Sequence, residues 1–568
     1  MAKGRAEFEV QAQRDERWVT EDIRDSEEAA RGAAQGILSR GSCQAVRIVK
    51  CWERADGSVT ETVVFNETRA VKDPKVTISQ IDDAPLCRKT SEYYRLESRS
   101  TMSRLLRKYL EKLFITPTEL IYNHKALSRF QEADSLFPSA VDRVATLQAR
   151  ASGEDSKARR EEIFKAVTQM TQRARKAAEN SDLAKIKGSE FGQLPARVAK
   201  IAPPDQVEFF TLVALSRDLM TFQSWLGKLD RLVELTRLDQ DGAMVGLIDG
   251  VIADLIGVPA ALQEMLGYQR NLGDALCAMA DLSEGRFTPE QSDARDQIAA
   301  LSPLLAAGRL EETKKTLLDR LFRQLAGGQP LSRQDPSKEG DVFRQVAERL
   351  LRPDGLLGGP EAAAALTKRY VFMLEGGGPT ALRKAIGGTV SAVPNRIFQI
   401  VYLTELTASS LGEELSKDIV AVLTDVVRVD DIDALVGRSV PPKEKMTRVV
   451  RLYDRIGSTA ALPERERAGM RDHLDSLLCE YLKRERIIER LDDPKARLRD
   501  RTTRLLDFCA AGVLPAQSRA QTLARDRVIA ILRQPSFEQH FIEGVTDPNQ
   551  CKEMLVGLHG LLVRGGFR

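Results

Sequence analysis

Cysteine is scarce: Cys43, Cys51, Cys87, Cys277, Cys479, Cys509 and Cys551 are the only seven in 568 residues. The number is odd, the spacings are wide and no C-x-x-C pair occurs. A disulfide framework is therefore not expected, and the pattern fits a reducing compartment, the cytoplasm. Aromatic residues make up only 5% of the chain, while leucine, alanine and arginine are plentiful, a composition suited to helix packed on helix. Charge of one sign is not in excess: 85 basic against 82 acidic residues leave +3, so global charge gives no case for nucleic acid. Long apolar runs are missing too. The most apolar stretch, Gly242 to Leu266, is interrupted by Asp249, Asp254 and Pro259, and a spanning helix needs about 20 nearly uncharged residues. No transmembrane span is expected. The opening residues Met1 to Arg5 lead at once to Glu7 and Glu9, with no apolar segment of the secretory kind.

Catalytic motifs are equally sparse. The four histidines, His124, His473, His540 and His559, form neither H-x-x-x-H nor H-E-x-x-H. No nucleophile elbow, kinase set or dinucleotide fingerprint occurs. No cofactor is expected, and the chain reads as non-catalytic.

What is present begins with a small module. Phe8, Val10 and Ala12 alternate with Glu9 and Gln11, the period of a half-buried strand. Trp18 to Thr20 forms a second strand after a polar turn. Asp25 is the expected cap of an alanine-rich helix, with Glu28 at its capping-box position, and Gly41 its stop. Ala45 to Trp52 and Val59 to Phe65 read as two further strands joined by a turn at Asp56-Gly57. Residues 1–67 thus predict a ββαββ domain, followed by a linker at 68–90.

From residue 91 onward the pattern is helical. Met102, Leu105, Leu106, Tyr109, Leu110 and Leu113 make one apolar stripe. Thr116 precedes Pro117 as a cap precedes a first turn. The segment 153–187 is so charged that it reads as a marginal or exposed helix. Pro203-Pro204-Asp205 announces a helix carrying Phe209, Phe210, Val213, Leu219, Phe222, Leu226, Leu229 and Val233. Helical domains are expected over 91–326 and 341–568, separated by a linker at 327–340, rich in breakers. No fixed repeat appears. The predicted fold class is mainly α: a small N-terminal α+β (ββαββ) domain followed by helical bundles or an irregular α-solenoid.

Several clusters invite a functional reading. Arg99, Arg104, Arg107, Lys108 and Lys112 give the first long helix a basic face, which could hold nucleic acid, an anionic membrane surface or an acidic partner; a solvated face is the plainer reading. Asp430, Asp431 and Asp433 resemble, one residue short, the Asp-Asp-x-x-Asp metal motif of all-α prenyl-transferring enzymes, whose carboxylates share Mg²⁺. The plainer reading makes Asp430 or Asp431 a helix cap. Gly242, Gly246 and Gly250 recur every four residues, as where another backbone packs closely; a ligand groove is the lesser alternative. Asp249 and Asp254 beside them then require solvent or a partner. Gly376 to Lys384 is glycine-rich but lacks the P-loop pattern, and reads as a turn between helices. Arg497, Arg499, Arg501 and Arg504 alternate with Asp500 and Asp507, which predicts pairs within one helix.

These observations favour a cytoplasmic scaffold, adaptor or regulator that binds other proteins. A module for nucleic acid or anionic membranes is the alternative, and an all-α metal enzyme the third reading. Oligomeric state is not legible.

Overall fold

The computed structural model describes all residues except 1–5, 15–16, 40–42, 44, 54–58, 69–75, 134, 187–190, 192, 239–241, 291, 375–377 and 568. The protein is mainly α, 69% helical, with one small antiparallel sheet near its N-terminus. Its contacts divide it into two compact units, residues 1–76 and 77–568.

The first unit has the ββαββ order read from the sequence. Strands β1 (Ala6–Arg14), β2 (Arg17–Arg24), β3 (Ala45–Glu53) and β4 (Val59–Thr68) form an antiparallel sheet in the order β2-β1-β3-β4. Helix α1 (Glu27–Ser39) lies between β2 and β3 in sequence. Alternation decides which face is covered: Val10, Ala12, Val46 and Ile48 are fully buried with Ala30 and Ala34 of α1. Two small alanines one turn apart bring the helix close to the sheet. The other face carries polar side chains in register, Gln11 opposite both Thr20 and Arg47. Arg47 donates to Gln11 at 2.8 Å and lies over the Trp18 ring at 4.4 Å. One expectation fails here. Ser26, not Asp25, supplies the cap, accepting from the Ala29 amide at 3.3 Å. Gly41 and Asp56-Gly57 lie outside the described residues.

In the second unit the first apolar stripe is not one helix. It breaks at Leu106 into Leu96–Leu105 and Arg107–Leu113. The break leaves the Leu105 carbonyl available, and the Ser79 amide donates to it at 2.8 Å. Residues 77–89, expected as linker, are thereby laid against the helices: Ile81 and Cys87 are buried, and Gln148 donates to the Pro85 carbonyl at 2.6 Å. The stretch 327–340 is held just as firmly. Leu331 is fully buried, Glu339 accepts from the amides of Leu331 and Ser332, and Arg369 donates to the Gln329 carbonyl at 2.7 Å. The contacts place no division there.

Other helices need correction as well. The 153–187 segment is a long, capped helix, Ser156–Ala178, with Asp155 accepting from Ala158. Ile163, Ala166, Met170, Ala174 and Ala177 are the apolar part of its buried face, beside Arg159 and Thr171; three of those five are alanine, so the stripe is faint in sequence. The aromatic-rich helix is two helices, Val207–Leu219 and Trp225–Leu238, and Asp218 takes Arg231 at 2.7 Å across the turn. Asp205 caps neither: the first begins at Gln206 without a side-chain cap, after a 3₁₀ turn at Pro204–Gln206.

The Ala243–Gly257 helix is the centre of the unit's first half. It packs against Leu96–Leu105, Trp225–Leu238 and Glu311–Leu325. Partners so distant in sequence differ from a solenoid, where each unit touches its neighbours. No single helix among the described residues is long and apolar enough to cross a membrane. The apolar Met244–Leu266 region is bent by 93° at Val258, and Val245, Ile248, Val251, Ile252 and Leu255 are buried in the protein.

Candidate functional site

Two of the sequence-predicted clusters meet at one place. Arg99 is buried, not part of an exposed basic face. Its Nε donates to Asp254 at 3.0 Å, and its Nη2 donates to Glu312 at 2.9 Å and to the Gly250 carbonyl at 3.2 Å. Burial opposes its charge, but Asp254 and Glu312 outweigh that and hold the guanidinium above its ordinary range. A Cβ on Gly250 would stand 3.0 Å from both Arg99 Nη2 and Glu312 Oε2. A side chain at 250 would thus crowd a side-chain network rather than another backbone.

The remaining glycines do not make a close-packed face. Gly242 precedes the helix in the left-handed region, at φ 72°, and a Cβ on Gly246 would meet nothing within 4 Å. The two aspartates find protein partners. Asp249 accepts from the amides of Glu312 and Thr313 at 2.8 and 2.9 Å. Asp254 accepts from the Thr118 amide at 2.9 Å and from its hydroxyl at 2.6 Å. Each satisfies the open first turn of a neighbouring helix, a cap supplied from another element.

Gly246 and Gly250 line a cleft of about 540 Å³ with Tyr94, Tyr122, Glu208 and Glu311. A second cleft, of about 550 Å³, lies across the Leu96–Leu105 helix; Asp83, Arg104, Asp319, Arg323, Glu361 and Lys368 line it. The two share Leu96, Glu97 and Lys315, and the Lys315–Glu97 pair, at 2.8 Å, stands where they meet.

The rest of the basic face is largely engaged. Arg104 pairs with Asp83 at 2.7 Å and Arg107 with Glu111 at 3.2 Å. Lys108 and Lys112 are exposed. The Glu311–Leu325 helix adds cations that sequence reading did not connect to them. Arg320 donates to the Ile256 carbonyl at 3.3 Å. Burial, with Arg107 and Arg323 nearby, pulls its pKa down to about 10. Arg323 is lowered by burial and by Arg104, and burial raises Asp319. The only sequence signal for these residues was their i, i+3 spacing; nothing placed that helix beside Arg104.

Two carboxylates of the acidic triplet are engaged by protein partners. Asp431 caps the short Ile432–Val436 helix, accepting from the Asp433 amide at 3.0 Å. Arg484 pairs with both Asp431 and Asp433, and Lys445 with Asp433. Asp430 is exposed. Two cations thus face these carboxylates, and the described residues hold no group of three or more His, Cys, Asp or Glu side chains placed to hold a metal ion. Of the pairs expected within the 497–507 segment, Arg499 meets Asp500 at 3.8 Å, whereas Arg501 turns to Asp492, which precedes that helix and also takes Arg527. Gly376 and Gly377 lie outside the described residues. Gly388 sits inside the Gly378–Ala392 helix, where a Cβ would approach the Tyr370 ring to 2.2 Å. All seven cysteines are free thiols.

No protein family, no curated protein and no solved structure matches this chain.

Proposed function

We propose that the protein is a non-catalytic interaction scaffold that receives segments of partner proteins in the paired clefts around the Leu96–Leu105 helix. The observation that carries this reading is the pairing itself. Two clefts of similar size meet at Glu97 and Lys315, and both signs of charge line each of them. A polypeptide of mixed charge matches such a surface; a uniform polyanion meets repulsion from Asp319, Glu361, Glu208 and Glu311. Affinity purification from the native cell with cross-linking tests it. A stoichiometric partner cross-linked beside Lys315 or Lys368, and lost on Glu361→Lys plus Lys368→Glu, is expected. Absence of any such partner, or unchanged capture by the charge-swapped form, overturns the reading.

One observation favours a second reading. Arg320 and Arg323 stand near Arg107 and Arg104, and neither has a carboxylate within 4.0 Å among the described residues. Gathered arginines suit an anionic polymer or an anionic membrane surface. Binding of RNA or anionic vesicles that falls steeply with salt, and is lost on Arg104→Glu plus Lys108→Glu, is the result this reading requires.

A further inference from the structure

The cleft at Gly246 has three properties that together define a ligand. Its cations are spent. Arg99 is held by Asp254 and Glu312, Lys315 by Glu97 at 2.8 Å, and Arg95 by Glu92 at 3.7 Å. Its remaining carboxylates are not: Glu208 and Glu311 line the cleft and have no hydrogen bond or ion pair among the described residues. The net demand of the cleft is therefore for positive charge.

Its wall is aromatic. Tyr94 and Tyr122 both line it, with ring centroids 5.2 Å apart. The same aromatic cluster already accepts one guanidinium: Arg173 lies 3.9 Å from the centre of Phe209, a ring packed against both tyrosines, and 5.7 Å from that of Tyr94. Aromatic faces beside carboxylates attract organic cations by quadrupole and by charge together.

Its opening is kept clear by glycine. Gly246 is exposed within the Ala243–Gly257 helix, and a Cβ there would meet no protein atom within 4 Å. Helix packing does not call for glycine at this position, and glycine lowers helix propensity. An empty approach to the cleft is what the missing side chain provides.

We infer that this cleft binds an organic cation, a guanidinium or alkylammonium group seated between Tyr94, Tyr122, Glu208 and Glu311. The cation belongs either to a basic side chain of a partner protein or to a free polyamine. The first source rests on the scaffold reading and the second does not.

Titration calorimetry of the full-length protein with N-acetyl-arginine amide, spermidine and, as the anionic control, N-acetyl-glutamate amide tests the inference. Saturable binding of either cation is expected, with none of the glutamate derivative. Tighter binding of the arginine derivative identifies the side-chain source, and tighter binding of spermidine the polyamine source. Glu208→Gln plus Glu311→Gln is expected to weaken binding by about tenfold or more. Gly246→Leu, whose Cβ has clear space outside its own helix, puts a side chain at the approach; it should abolish binding while the melting temperature holds or rises. The inference is overturned if neither cation binds, if the glutamate derivative binds equally, or if both variants bind as the wild type does. Loss of partner capture alone bears on the scaffold reading and leaves this result standing.

Discussion

At the residue scale, the buried charges do most to fix the site. Asp254 ties Arg99 to the first turn at Thr118, and Asp249 ties the first turn at Glu312 and Thr313 to the same central helix. Removing one partner of a buried ion pair strands the other, at a cost of about 3–5 kcal/mol. Asp254→Ala, which takes from buried Arg99 the nearly inaccessible one of its two carboxylates and from the Thr118 amide its acceptor, is expected to destabilise the protein by that order in urea denaturation. Arg99→Met plus Asp254→Leu should recover part of the loss, because no buried charge is left unpaired and Glu312, which loses Arg99, is partly exposed to water. Asp319 behaves oppositely. Burial raises its pKa above the ordinary aspartate range, so its ionised form is disfavoured by folding. The folded state then holds its proton longer than the unfolded state as pH rises, and that contribution disappears above the folded pKa. Asp319→Asn should therefore raise the melting temperature at neutral pH, and the gain should fade as the pH falls through the aspartate range. A gain that is constant from pH 4 to pH 8 would contradict this account.

At the element scale, helix boundaries depend on contacts as well as on local signals. The cap expected at Thr116 forms, and Glu119 closes it into a box: Thr116 accepts from the Glu119 amide at 3.2 Å and donates its own amide to Glu119 at 2.8 Å. Such boxes are local, hence legible. The break at Leu106 was not, because it is stabilised by Ser79, which lies 26 residues earlier in the chain. Burial of the Ser156–Ala178 helix is faint in sequence because only Ile163 and Met170 of its inner face are large and apolar, beside three alanines, Arg159 and Thr171. The adjacent glycines of the Gly378–Ala392 helix show how context divides equal residues. A Cβ on Gly387 meets nothing, whereas one on Gly388 runs into Tyr370. Gly387→Ala is expected to stabilise by about 0.5–1 kcal/mol. Gly388→Ala should destabilise by about 1–3 kcal/mol. Equilibrium unfolding of the two variants separates them, and equal shifts would refute the packing argument.

At the scale of the whole molecule, the chain is two units, each with its own core. In the first, Val10, Ala12, Val46, Ile48, Ala30 and Ala34 are fully buried between one sheet face and one helix. A charge at the centre of that core has no partner. Ile48→Asp should unfold the first unit while leaving most helical ellipticity at 222 nm, which comes from the second. A collapse of the whole helical signal would show that the second unit depends on the first.

The sequence by itself determined the fold class, the ββαββ order of the first unit, most helices after residue 96 and the capping role open to Asp431. Each follows from periodicity or from hydrogen-bonding groups within a few residues of one another, information that a single segment contains. The tertiary structure decided the rest. It buried Arg99, spent the carboxylates of Asp431 and Asp433 on Arg484 and Lys445, held 77–89 and 327–340 against the helices, and opened Gly246 onto a cleft. In every one of these cases the deciding partner is on another element, from 12 to more than 200 residues away in sequence for the ion pairs. A charged side chain on a helix face looks the same in sequence whether it meets water, a cap or an opposite charge. Only the packing of helices chooses among them, because only packing sets the distance over which charges act.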